Sequence, residues 1–331
     1  MKERDSNIEL LRILAMTLIV IGHISVHAQK GEASTHNLIT SITVTGVNIF
    51  ILITGYFGIR LRWKSLLNIV GIVSFYSILS IILDFAFCGN EPGYRQFVVG
   101  FITPIFGHTA YWFANCYIIL MLLSPALNIV RDSANNKQLI YTTVILILLS
   151  CITGFALKND INFNGYNVMQ FITIYFIGAV IGKFKIHLFL KGRVLTACYI
   201  IATVVVFVEI YFNFSRANYY NNPAIIIAAT SLFCLLLRSK FQSSTINRLA
   251  VFMFPIYLLQ DGIFGFRIYR ALYDFGVGEQ FCSLKYFSVL IVYIFTLLAS
   301  AIVFEHIRCL LMQKPLDALN RYLEKRFNFF D

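Results

Sequence analysis

Leu11-Arg12-Ile13-Leu14-Ala15-Met16-Thr17-Leu18-Ile19-Val20-Ile21-Gly22-His23 lies inside an apolar run from residue 8 to 28 and carries two titratable side chains. About 20 apolar residues in a helix are enough to cross the ~30 Å hydrocarbon layer of a membrane. An Arg or His in such a helix is costly unless it pairs or faces a wet cavity, so each marks a candidate site. At ~100° per residue, eleven residues bring Arg12 and His23 to within about 20° of one face, about 16 Å apart along the axis. One groove can therefore be lined by both, with the cation low and the imidazole high.

The rest of the chain repeats the apolar pattern. Further runs fall near 38–58, 66–87, 111–130, 138–157, 167–186, 194–214, 223–238, 246–266 and 286–311, which makes ten candidate spans. Phe97 to Phe106 is too short to cross and contains Pro104, so it reads as a re-entrant or interfacial piece. Composition agrees: 58% of the 331 residues are hydrophobic and 13% are charged, with mean hydropathy +0.74. The expectation is an all-α integral membrane protein, a bundle of about ten transmembrane helices forming one domain over 1–331. The first run follows the charged start Met1-Lys2-Glu3-Arg4-Asp5 and has no small-residue cleavage site, so it reads as a retained helix. Seven scattered cysteines do not suggest a disulfide framework.

A net charge of +11 raises nucleic acid as a partner, but no basic block with interleaved aromatics is present and none is expected. Basic residues instead punctuate the ends of the runs. Alternate flanks hold 19 against 7, with Arg12 inside the first run, and the positive-inside rule then puts both termini in the cytoplasm. No internal repeat of the transporter kind is visible.

Taken singly, each buried polar residue has two readings. Arg12 either snorkels to water or grips a phosphate. His23 is either a satisfied core histidine or a catalytic one. His27, one turn from His23, has no third ligand nearby in sequence, and no metal site is expected. Asp261 either serves the site or pairs with Arg267 or Arg270, and Asp261 or Glu209 is placed to accept the second N–H of His23. Glu305 and His306 read as structural partners of Arg308. Arg60, Arg62 and Lys64 form a basic turn that anchors lipid headgroups or assists an anionic donor. Tyr111 and Trp112 belong either to an interfacial aromatic belt or to a stacking surface for a sugar ring.

The Arg12-to-His23 stretch resembles the opening signature of the membrane acyltransferase-3 family, in which an Arg is followed eleven residues later by an essential His. Gly46-Val47-Asn48-Ile49-Phe50-Ile51-Leu52-Ile53-Thr54-Gly55-Tyr56-Phe57 resembles its second-helix motif. Tyr111-Trp112-Phe113 resembles its Trp-Phe start of a later helix, and Phe254-Pro255-Ile256-Tyr257-Leu258-Leu259-Gln260 its Tyr-Leu-x-His motif. Three positions depart: Asn48 stands where an acid is common, Thr54 where Ser is, and Gln260 where a second His is usual.

The resemblance implies a multi-pass O-acyltransferase of the bacterial cytoplasmic membrane. It would move acetyl from acetyl-CoA to a hydroxyl of a cell-surface polysaccharide or lipid-linked glycan. No cofactor would be bound permanently, and the partners would be membrane lipids, acyl-CoA and the glycan acceptor. His23 would act as general base or form an acyl-His intermediate, with Asp261 beside it. Arg12, Arg60 and Arg62 would hold the donor; Asn48, Tyr111, Trp112 and Gln260 would face the acceptor. A transporter or flippase for a lipid-linked sugar, with His23 and Asp261 relaying protons, explains the buried polar groups but not the signature. Acceptor identity, acyl length and oligomeric state are not written in the sequence.

Overall fold

The computed structural model describes residues 5–28, 33–106, 111–157, 160–276 and 283–327. Among them the secondary structure is helical, with no strand. The chain opens with α1 (Ser6–His27) and a second apolar stretch broken into α2 (Ala33–Thr43) and α3 (Gly46–Phe57). The bundle continues with α4 (Trp63–Cys88), α5 (Tyr94–Phe106), α6 (Trp112–Ser133) and α7 (Asn136–Leu148), which widens into a π-helical turn over Leu149–Ala156. Next come α8 (Val168–Phe184), the single turn α9 (Ile186–Phe189), α10 (Gly192–Tyr211) and α11 (Pro223–Leu237). The last elements are α12 (Ser244–Leu249), α13 (Met253–Gln260), α14 (Ile263–Asp274) and the 43-residue α15 (Leu284–Arg326).

The ten apolar runs all lie on helix. Seven helices among the described residues are long and apolar enough to cross a membrane, and the stretch Ser244–Gln260 with Ile263–Asp274, bent by 75°, brings the number to eight when it is counted as one broken span. The two remaining runs are α8 and α11, at 17 and 15 residues shorter than a usual span. This is an all-α, multi-pass membrane architecture. Phe97–Phe106 is the body of α5, which starts earlier, at Tyr94, keeps Pro104 within its final turns and packs along α4.

Local chemistry sets the helix ends. Asn135 and Gln138 form a reciprocal capping box that starts α7. Asn222 caps α11, with Pro223 at its first position. The connections between spans tie to one another at one end of the bundle: Arg131 to the Phe57 carbonyl, Lys183 to the Ala134 carbonyl, and Arg238 to the carbonyls of His187 and Leu190. Ser6 bonds Gln242 and Asn247 there, and Trp63 Nε1 donates to the Phe327 carbonyl. This end gathers the richer set of Lys and Arg flanks, and is called the basic end below. At the core, α3 packs most extensively on α8, where Gly55 and Gly178 let the two backbones approach within side-chain distance.

Candidate functional site

Away from the basic end, α1, α2, α3, α6, α14 and the segments before α8 and α11 enclose a cavity of about 330 Å³. His23, His27, Trp112, Tyr166, Tyr220 and Asp261 line it, with Asn218 and Thr40 at its polar margin. A narrow slot of about 40 Å³ continues from His23 between Met16, Val47, Phe50 and Phe113.

His23 and Asp261 thus meet in one cavity from opposite ends of the sequence. His23 Nδ1 and Asp261 Oδ2 are both buried and without a hydrogen-bond partner among the described residues. An unpaired buried polar atom is expensive and calls for a function or an unseen partner. The His23 ring meets His27 and Tyr269 edge-on, at 5.8 and 6.2 Å between centroids. Tyr269 also stacks on the exposed His27 at 5.4 Å. Asp261 sits at the 75° break between α13 and α14, near the Tyr257 hydroxyl one turn earlier.

That break is built by its neighbours. Ser80 Oγ accepts the Phe264 N–H, and Tyr111 donates to the Leu258 carbonyl at 3.0 Å. A Cβ on Gly262 would strike both hydroxyls. Tyr111, 2% exposed, therefore stands behind the cavity wall and holds the bend that presents Asp261. Its neighbour Trp112 is in the wall itself. The Trp112 ring stacks on Tyr220 at 5.6 Å and 22°, and Tyr166 contacts both rings at 4.6 Å. Burial, and then Tyr166 beside it, hold the Tyr220 phenol above its ordinary pKa, so it stays neutral at physiological pH.

The other expected site residues fall in four places. Asn48 donates to the Tyr220 carbonyl at 3.0 Å, as Gln170 does at 2.8 Å, so its amide fixes the aromatic wall from behind. Gln260, fully buried, accepts from Tyr269 at 3.0 Å and touches Met16 Sδ at 3.7 Å; it links α13 to the helix carrying His23. Arg12 pairs with Glu9 at 2.6 Å and stays 35% exposed, one turn from Ile8 and one from Met16 on the same face of α1. Arg60 and Arg62 are exposed in the turn between α3 and α4, at the basic end.

Two pairings that the sequence left open as alternatives are replaced by others. Glu209 accepts from Asn222 at 2.6 Å and holds the start of α11 instead of the His23 ring. Arg267 pairs with Asp84 at 3.1 Å and Arg270 with Asp274 at 3.6 Å, so neither neutralises Asp261. Glu305 binds Arg308 through both carboxylate oxygens, at 2.9 and 2.7 Å. Tyr166, Tyr220 and Tyr269 were not singled out in the sequence; the polar run Asn218-Tyr219-Tyr220-Asn221-Asn222 ahead of an apolar helix was the available signal.

A half-buried imidazole and a buried carboxylate lining one cavity between membrane-spanning helices define an integral membrane protein with a polar site inside its helix bundle. A family model described as an acyltransferase domain matches residues 5–306. The chain belongs to the acyltransferase-3 family and is a membrane acyltransferase. Comparison with curated proteins and with solved structures finds no match.

Proposed function

We propose that the protein moves an acetyl group from acetyl-CoA to a hydroxyl of a cell-surface polysaccharide or its lipid-linked precursor, in the bacterial cytoplasmic membrane. The observation that carries this reading is the pairing of the unpartnered His23 Nδ1 with the aromatic wall of Trp112, Tyr166 and Tyr220 in a single cavity. An imidazole is the side chain whose ordinary pKa lies closest to neutral, which suits a general base. In this reading His23 takes the proton of the acceptor hydroxyl, whose oxygen attacks the thioester carbonyl. The carbon–sulfur bond breaks, and the departing thiolate recovers the proton from the imidazolium. Asp261 favours the charged imidazolium across the same cavity. Arg12 steadies the donor from the same face of α1, and the sugar rests on Trp112.

The slot of about 40 Å³ beside His23 supports a short acyl group. Phe50→Ala opens that slot, and the ratio of butyryl to acetyl transfer is expected to rise about tenfold, measured with both thioesters at equal concentration; an unchanged ratio removes the slot from the account of chain length. Trp112→Ala is expected to raise the acceptor KM about tenfold with little change in kcat, the loss of one aromatic contact surface.

The direct test is transfer of radiolabelled acetyl from acetyl-CoA into surface glycan by membranes containing the wild type. Label in the glycan supports the reading. Its absence with acetyl and with longer thioesters overturns it.

A further inference from the structure

A second cavity, of about 590 Å³, opens at the basic end. Lys185 and Lys240 reach it from the connections after α8 and α11, and the buried His187 joins them. Burial first, and then the nearby Arg238, Lys185 and Lys240, hold the His187 imidazole below its ordinary pKa, so it is neutral at physiological pH and the local positive charge rests on the arginine and the two lysines, of which the lysines line the cavity. The first turn of α1 forms another wall through Asn7 and Ile8. Its N-cap residue Asp5 makes no side-chain cap hydrogen bond, and a helix start carries partial positive charge. The Asp5 carboxylate also lines the cavity and opposes an anion there. Tyr56 and Phe241 add aromatic surface of the kind on which a purine stacks.

Lys185 bears on this independently. It ends α8 in the left-handed conformation, at φ 50° and ψ 39°, where glycine is the residue of lowest cost. The residue in this glycine-favouring conformation is a lysine, and it lines the cavity.

We propose that this cavity binds the phosphorylated head of a nucleotide: phosphates between Lys185, Lys240 and the start of α1, the base against Tyr56 and Phe241. This rests on the donor reading above and gives it a different docking point from Arg60 and Arg62. Ile8 of this cavity, then Arg12, Met16, Ile19 and His23, follow one another at helical spacing on one face of α1. The fifteen residues from Ile8 to His23 span about 22 Å, a distance that the extended arm of the donor has to bridge.

The test uses the full chain in nanodiscs of neutral phosphatidylcholine, with ADP as the probe in equilibrium dialysis. Saturable ADP binding is expected, about tenfold weaker in Lys240→Gln and in Lys185→Gly, one charge-assisted contact each. Lys191→Gln, a charge loss at a residue outside this lining, binds ADP as the wild type does. Lys185→Gly melts no lower than the wild type, since it relieves the left-handed residue, so weaker binding there is not unfolding. Failure of the wild type to bind ADP, or undiminished binding in both lysine variants, overturns the proposal. So does loss of ADP binding in phosphatidylglycerol nanodiscs, which would give the lysines to a lipid phosphate. The two readings fail separately: lysine-dependent ADP binding in a protein that transfers no acyl group upholds the nucleotide site and removes the transferase reading, and transfer without ADP binding does the reverse.

Discussion

His23→Ala lowers acetyl transfer by ~10²–10⁴-fold at matched expression, the range that removal of a positioned general base produces. The loss falls on kcat, and ADP binding at the basic end is unchanged, because His23 lies about 22 Å along α1 from Ile8. The variant also folds: the imidazole is only partly buried, and its buried Nδ1 has no partner to strand. Removing that unpaired atom costs no hydrogen bond. His23→Ala protein that transfers at the wild-type rate shows that the imidazole does no chemistry, and leaves the cavity as a binding surface.

Gly55→Leu is expected to prevent folding. Gly55 lies where α3 crosses α8, and a Cβ there would run into the Tyr175 carbonyl and the backbone atoms behind it. Gly178 faces it across the same contact, and its Cβ would meet the Leu52 carbonyl and the Tyr56 N–H. Backbone atoms cannot rotate aside as a flexible side chain can, so the helices must separate. Separation opens gaps around Leu52, Ile53, Phe176 and Ile177, all buried at this level. Overpacking of this kind costs about 3 kcal/mol or more, a large share of the ~5–15 kcal/mol that holds a typical domain together. In detergent the variant should elute as aggregate and show no cooperative melt, whereas Gly93→Ala, with open space around its Cβ, elutes and melts as the wild type does. A monodisperse Gly55→Leu protein with the wild-type melting temperature would show that the helices cross with room to spare.

The helices were legible because a hydrocarbon solvent writes itself as long apolar runs, and every run is helical in the structure. Their interruptions were not. The run over 38–58 breaks at Thr43–Gly46 into α2 and α3, and the run over 246–266 turns by 75° at Asp261 and Gly262. Hydropathy averages over some 19 residues, whereas these breaks depend on single contacts such as Ser80 Oγ to the Phe264 N–H. α15 continues to Arg326, far past the end of the continuous apolar run at 311, because helix formation needs no lipid once packed neighbours support it.

The site was legible in part. Spacing placed Arg12 and His23 on one face of α1, and the resemblance pointed to the stretches that hold Asn48, Trp112 and Gln260. It did not say which of these side chains face the cavity. Tyr111 and Asn48 act on backbone carbonyls, at Leu258 and Tyr220, and support the wall from outside. Lys185 and His187 belong to a connection whose charges looked like a topology signal, and only the folded chain sets them beside the start of α1.

At 1.5 Å per residue, α15 is about 65 Å long, some four turns more than the ~45 Å of a bilayer with its headgroups. Its far end is fastened: Leu316 lies against Gly71 on α4, one residue past Pro315, and the Phe327 carbonyl takes the Trp63 indole N–H. The last span thereby acts as a splint along α4, stiffening one flank of the molecule, with its weakest turn backed by a neighbouring helix. The α13–α14 break packs on α4 and α15 and is braced by the same splint, whereas α2 packs on α1 and α10 away from it, so compliance is left to the α2–α3 break on the far side of the His23 cavity, where substrate has to pass in and out.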